Sequence, residues 1–144
     1  MKTVVLVTCT ARKHEGSHAA RYIYTKSPNF REYFSRAQKL SNDENIFIIS
    51  ALHGLLPLDR VIDYYNYTLM KKPSAVKKAW GEKVVKQIKE LFDVNETNFI
   101  VIAGADYFIP LRTHLPNMQA PLEGVGRGNV RFTTLDTFIN KYKL

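Results

Sequence analysis

The apolar positions fall into three short continuous runs and two longer amphipathic stretches. Lys2–Thr8 (KTVVLVT), Asn45–Ser50 (NIFIIS) and Asn98–Ala103 (NFIVIA) are almost uninterrupted in apolar, largely β-branched character. Runs of that length without alternation predict strands buried on both faces. Between the first two runs, Phe30, Phe34, Ala37 and Leu40 recur at helical spacing, with Arg31, Glu32, Arg36 and Lys39 facing water. Ser27-Pro28 supplies the start of this helix, serine as N-cap and proline at the first helical position. A second helix is predicted from a Ser74 cap to about Leu91. Its apolar stripe is Val76, Trp80, Val84, Ile88 and Leu91, and Lys78, Glu82, Lys86 and Lys89 lie outside. Asn42-Asp43 reads as a turn, Asn117–Leu122 as a short edge segment and Asp136–Lys141 as a last short helix. Ala11–Lys26 and His53–Tyr67 lack either period and read as loops.

Buried strands alternating with helices predict a single α/β domain over residues 1–144, a three-layer α/β/α sandwich with a mainly parallel central sheet. In such sheets ligands bind outside the carboxyl ends of the strands. That rule gathers three segments at one edge: Thr8–Lys13, Ser50–Tyr67 and Gly104–Tyr107.

Composition narrows the class. At 45% hydrophobic and 24% charged residues, the chain is neither disordered nor fibrous. The single cysteine, Cys9, excludes an internal disulfide framework and a Cys-pair zinc site, and it suits a reducing cytoplasm. No apolar run approaches the roughly 18–20 residues that span a bilayer, so no membrane partner and a cytoplasmic location are expected. The net charge of +8 is uneven. The first 40 residues carry eight basic and two acidic side chains, residues 41–70 one basic and four acidic, and residues 71–91 seven lysines against Glu82 and Glu90. Basic segments flanking an acidic one suit an enzyme acting on a polyanion, and equally a pair of solvated helices.

Within the three segments the candidate chemistry is polar and cationic. Thr8, Cys9, Thr10 and Lys13 follow the first run, where hydroxyls and free backbone N–H groups can hold an anion. A phosphatase-like cysteine cradle needs arginine six positions on, and that position is Glu15, so Cys9 reads as a small strand-end residue rather than a nucleophile. Cys9, His14 and His18 lack a fourth ligand, and no metal site or cofactor is expected. Arg21 and Tyr24 belong to a basic and aromatic interleave that suits a nucleotide, or that packs the loop onto the sheet.

Ser50, His53 and Gly54 follow the second run, with Asp63 and Tyr65 beyond. An aspartate can orient water, histidine can stabilise a departing anion and tyrosine can stack on a ring. The alternative is a hydrogen-bonded loop over a satellite aromatic core. Gly104, Asp106 and Tyr107 follow the third run, glycine allowing close backbone approach to a ligand. Gly124-x-Gly126-x-Gly128, with Arg127 and Arg131 nearby, resembles a phosphate loop, but no amphipathic helix is predicted after it.

The ordered set Cys9, Lys13, Ala20-Arg21, Tyr24, Ser27 and Phe30 is followed by Ile49-Ser50-Ala51-x-His53-Gly54-Leu55-Leu56. Then come Val61-Ile62-x-x-Tyr65-x-x-Thr68-Leu69, Ala103-Gly104-Ala105-x-Tyr107 and Pro121-Leu122-Glu123-Gly124. Together they resemble a family of small uncharacterised bacterial and phage domains, over most of the chain. That family is in turn similar, more distantly, to the uracil-DNA glycosylase fold and to an archaeal tRNA-modification domain. The resemblance implies an α/β/α sandwich with a nucleobase pocket. The glycosylase motifs themselves are absent: Gly104-Ala105-Asp106-Tyr107 and Ser50-Ala51-Leu52-His53 are only echoes of them.

The resulting expectation is a nucleic-acid-directed enzyme resembling a DNA glycosylase, hydrolysing an N-glycosidic bond. Arg12, Lys13, Arg21, Lys26 and Lys71, Lys72 and Lys77 would bind phosphate. A flipped base would stack on Tyr24, Tyr65 or Tyr107, and Asp63 or Asp106 would orient water while His53 stabilises the leaving base. The alternative is a non-catalytic module that binds a nucleotide or nucleobase.

Overall fold

The computed structural model describes residues 1–143. A five-stranded sheet is built from β1 (Lys2–Thr8), β3 (Ile46–Ser50), β4 (Gly54–Pro57), β6 (Thr97–Ile102) and β7 (Met118–Gln119), in the order β4-β3-β1-β6-β7. Every neighbouring pair is parallel except β3 and β4. A separate antiparallel pair joins β2 (Ser17–Ala19) to β5 (Val61–Asp63). The helices are α1 (Ala20–Ile23), α2 (Pro28–Leu40), α3 (Ser74–Leu91), α4 (Ala105–Arg112) and α5 (Val130–Tyr142).

The predicted central strand is the sheet's middle. Val4, Val5, Leu6 and Val7 have no exposed surface, because side chains alternate between two covered faces. On one face Val4 and Leu6 join Phe99 and Val101 against Trp80, Val84 and Ile88 of α3 and Phe108 and Leu111 of α4. On the other, Val5 and Val7 join Ile48 and Ile100 against Phe30, Tyr33 and Ala37 of α2 and Leu135 of α5. Helices thus cover both faces, as expected for an α/β domain with a mostly parallel sheet. Each fully buried Val, Leu, Ile or Phe contributes about 1.5–3 kcal/mol, so the two layers supply most of the driving force.

Ser27 caps α2 as its sequence predicts: its hydroxyl accepts the Phe30 amide at 3.3 Å, with Pro28 opening the helix. Other local expectations shift. The N-cap of α3 is Pro73, and Ser74 makes no capping bond. The buried stripe of α3 includes Gly81 and Val85, whereas Val76 and Leu91 are exposed. Helix α4 turns the stripe, since a Cβ at Gly81 would stand 2.6 Å from the Pro110 carbonyl oxygen. The segment read as a loop after His53 forms β4 and β5. The one read as a loop after Ala11 forms β2, α1 and a 3-10 turn at Tyr24–Lys26. The last helix begins at Val130, not Asp136. The edge segment near Asn117 is the two-residue strand β7.

The topology fixes where a ligand can sit. β1 leads through α2 on one face toward β3, and β6 leads through α4 on the other face toward β7. The two connections leave neighbouring strands in opposite directions. The crevice at a parallel sheet's switch point therefore opens beyond Thr8 and Ile102. Among the described residues, no helix is long and apolar enough to cross a membrane.

Candidate functional site

A cleft of about 640 Å³ occupies the switch point. Thr8, Cys9 and Thr10 line it from the end of β1, and Gly104, Asp106 and Tyr107 from the turn after β6. A third wall is the start of α5, where Arg127, Gly128 and Asn129 meet Arg131 and Phe132. The fourth is the irregular chain after β5, with Asn66, Tyr67, Thr68 and Met70.

The floor is built from groups that hold one another. The Cys9 thiol lies 3.7 Å from the Tyr107 hydroxyl, which also accepts the Leu69 amide at 3.3 Å. Burial pushes the Cys9 thiol up from 9.0, so the sulfur is held as a thiol, and the Tyr107 phenol is pushed up to about 12 for the same reason. Lys13 is only 4% exposed. Its ammonium donates to the Thr10 and Ala11 carbonyls, both at 3.1 Å, and lies 4.5 Å from the Tyr65 ring centroid. Burial lowers its pKa below 10.5, opposed by attraction to Cys9. This is a cation paired with carbonyl dipoles and an aromatic face rather than a carboxylate.

Asp106 is the one carboxylate among the lining residues, and Lys77 of α3 donates to it at 2.8 Å. Arg131 donates to the Tyr33 hydroxyl and the Gly126 carbonyl, both at 3.1 Å, which fixes its guanidinium at the rim. Arg127 is exposed and forms no ion pair among the described residues. Asn129, the N-cap of α5, makes no side-chain capping bond.

The cleft thus brings together Thr8, Cys9, Thr10, Lys13, Gly104, Asp106 and Tyr107 of the residues singled out from sequence. The others lie elsewhere. Tyr24 is fully buried, its hydroxyl 2.7 Å from that of Tyr65, which is 2.7 Å from the Ser50 hydroxyl. This relay is core structure: burial raises both phenols well above their ordinary value of 10. The Ser50 hydroxyl also accepts the Leu52 and His53 amides, so the chain leaving β3 closes into a tight turn and returns as β4 instead of reaching the cleft. His53 sits on that turn, its ring edge-on to Tyr65 with centroids 5.4 Å apart. Burial, with Lys83 and Arg60 nearby, lowers its pKa below 6.5.

Gly54 has a φ of +74° and abuts Gln87, whose side-chain oxygen accepts the Leu55 amide at 2.8 Å. Asp63 is exposed on β5 and accepts the Ser17 hydroxyl across the small sheet. Arg21 pairs with Asp43 and Asp59. His14 stacks on Tyr22, and among the described residues no group of three or more His, Cys, Asp or Glu side chains could hold a metal.

Sequence reasoning missed the α5 wall. The glycines and Arg127 before it and Arg131 within it stood out, but Val130-Arg131-Phe132-Thr133-Thr134 is β-branched and aromatic, a poor local helix signal. Gly128, at φ +93°, lets the chain turn into the helix there. Asn66, Tyr67 and Thr68 left no periodic signal at all. No curated protein and no solved structure matches the chain. The profile of the family of unknown function DUF6884 matches residues 4–135, and the chain belongs to that family.

Proposed function

We propose that the switch-point cleft binds a nucleotide unit of a nucleic acid. The observation carrying this reading is the convergence of the β1 turn, the β6 turn and the start of α5 on one cavity. The cavity has Lys13, Arg127 and Arg131 for a phosphate and Tyr67 and Phe132 for a base. Helix N-termini favour anions through their free amides and dipole, and here cationic side chains stand beside one. Aromatic faces stack on any base. The distant similarity to the uracil-DNA glycosylase fold that the sequence motifs imply for the resembled family would point to the same ligand class.

The direct test is calorimetric titration of the protein with nucleoside monophosphates and single-stranded DNA or RNA. Binding that weakens at least tenfold in Arg127→Glu supports the reading. Unchanged binding in that variant, or no binding by wild type, overturns it.

A second reading is hydrolysis of an N-glycosidic bond, and the specific observation favouring it is the Asp106 carboxylate within the cleft. Asp106 would orient water toward the anomeric carbon, with the Lys77 contact holding the carboxylate in place. His53 and Asp63 stand outside the cleft, so this chemistry rests on Asp106. Incubation with DNA carrying varied and modified bases, followed by detection of abasic sites, tests it. Base release by wild type and its loss in Asp106→Asn would support hydrolysis, whereas intact substrates throughout would leave a binding module.

A further inference from the structure

A second cavity of about 360 Å³ lies in the seam between the first turns of α3 and helix α4. Asp106 lines both this cavity and the switch-point cleft, so the Lys77–Asp106 bridge stands on their shared wall. The seam cavity is lined on one side by Ser74, Lys77 and Lys78 of α3, and on the other by Ile109 and Pro110 of α4. Ile109 is 57% exposed there, an apolar surface left open by the described residues. Lys78 is exposed and forms no ion pair among the described residues.

We infer that the seam cavity is the subsite for the neighbouring nucleotide of a nucleic-acid strand whose bound unit occupies the switch-point cleft. The inference rests on the nucleotide reading of that cleft and extends it to a polymeric ligand. A strand leaving the cleft past the Lys77–Asp106 pair meets Lys78, which has no carboxylate partner among the described residues, for a phosphodiester, and an apolar surface at Ile109 and Pro110 for a sugar or base. A basic groove that tracks the backbone is a common way of holding single strands without reading their sequence. The track stops one unit on. The next cavity along α3 is reached past His114 and is lined by Glu82 and Glu90 as well as Lys86 and Lys89, so its charges cancel.

The test compares a nucleoside monophosphate with a single strand of about eight nucleotides, a length within the range such grooves cover. Full-length wild type, Lys78→Glu and Ile109→Asp are titrated at several salt concentrations. Both positions are exposed, so folding is checked by circular dichroism and expected to be unchanged. Wild type is expected to bind the strand at least tenfold more tightly than the monophosphate. Each variant is expected to lose most of that gain while keeping its affinity for the monophosphate. Lys78→Glu should also flatten the salt dependence by about 0.7 in the log–log slope, the value for one phosphate contact on a single strand.

Equal affinity for strand and monophosphate, or a strand gain that survives both variants, overturns the subsite and leaves the cleft reading standing. A strand that binds through Lys78 while the monophosphate does not bind overturns the cleft reading and with it the seam's role as the neighbouring subsite, leaving a strand contact on the seam alone. Polyglutamate competing as well as the strand would overturn the inference in favour of an acidic protein partner.

Discussion

The Lys13 ammonium lies 4.5 Å from the centre of the Tyr65 ring, and this contact joins the buried hydroxyl relay to the cleft. Tyr65 faces the Tyr24 and Ser50 hydroxyls with its own hydroxyl and Lys13 with its ring. One residue therefore belongs both to the core and to the support of the site. Among the described residues Lys13 answers carbonyl dipoles and an aromatic ring but no carboxylate, so an anion entering the cleft meets a positive charge that no negative one neutralises. Lys13→Ala is expected to weaken phosphate-bearing ligands by about 1.5–3 kcal/mol, the range for a hydrogen bond to a charged group. Calorimetric titration at fixed salt measures this.

Tyr65→Phe should cost stability more than binding. Removing the hydroxyl leaves those of Tyr24 and Ser50 without their shared partner, at about 1–3 kcal/mol for a buried unsatisfied group. The phenyl ring keeps its place beside Lys13. Urea unfolding is expected to show a lower midpoint with an unchanged slope.

The approach of α4 to Gly81 of α3 offers a steric test. A Cβ at Gly81 would stand 2.6 Å from the Pro110 carbonyl oxygen and 2.7 Å from its Cβ, and neither backbone can yield without parting α3 from α4. Gly81→Ala should therefore cost about 1–3 kcal/mol by overpacking, despite alanine's better helix propensity. At Gly104 nothing lies within 4 Å of such a Cβ, so Gly104→Ala is expected to fold like wild type. Thermal melts of the two variants distinguish them.

Alkaline pH should unfold the protein early. Burial raises Cys9 above 9.0 and Tyr24, Tyr65 and Tyr107 above 10.0 in the folded state. Above those ordinary values the unfolded chain has released protons that the folded chain still holds, so stability falls as pH rises. The contribution is complete below about pH 9 and drains away through the folded-state values, which for Tyr107 means toward about 12. Lys13 runs the other way: its folded value lies below 10.5, so between the two values the unfolded chain holds the extra proton and stability rises with pH. Four raised acids outweigh one lowered base. Urea midpoints measured from pH 8 to 11 are expected to decline, and less steeply in Tyr65→Phe.

His53 provides a control at the other end of the scale. Its pKa is lowered, so between that value and 6.5 the unfolded chain binds the extra proton and stability rises with pH. A histidine outside the cleft should titrate without reference to ligand. NMR titration is expected to place the His53 imidazole below 6.5, with no change when a nucleotide is added.

Elements that satisfy their own local chemistry were legible without coordinates. The continuous run through Val4–Val7 required a strand covered on both faces, and Ser27-Pro28 announced α2 because cap and first turn lie within four residues of each other. The short elements were not legible. A three-residue strand such as β2 or β5 and the four-residue α1 are too short for a period to repeat recognisably, so their existence depends on hydrogen bonds to distant chain, such as the Ala20 amide to the Arg60 carbonyl at 2.8 Å. Helix α5 has weak local propensity and is held by Leu135 and Ile139 in the core.

The same division runs through the site. Sequence alone, read with the rule that ligands meet the carboxyl ends of parallel strands, located the cleft at Thr8–Lys13 and Gly104–Tyr107, since the residues following a strand are fixed by where the strand ends. It could not say that the chain after Ser50 folds back as β4, carrying His53 away, nor that Arg127 and Arg131 arrive from more than 110 residues beyond Cys9. Those outcomes depend on strand order and helix packing, which set distances between residues far apart in the chain and which no local pattern encodes.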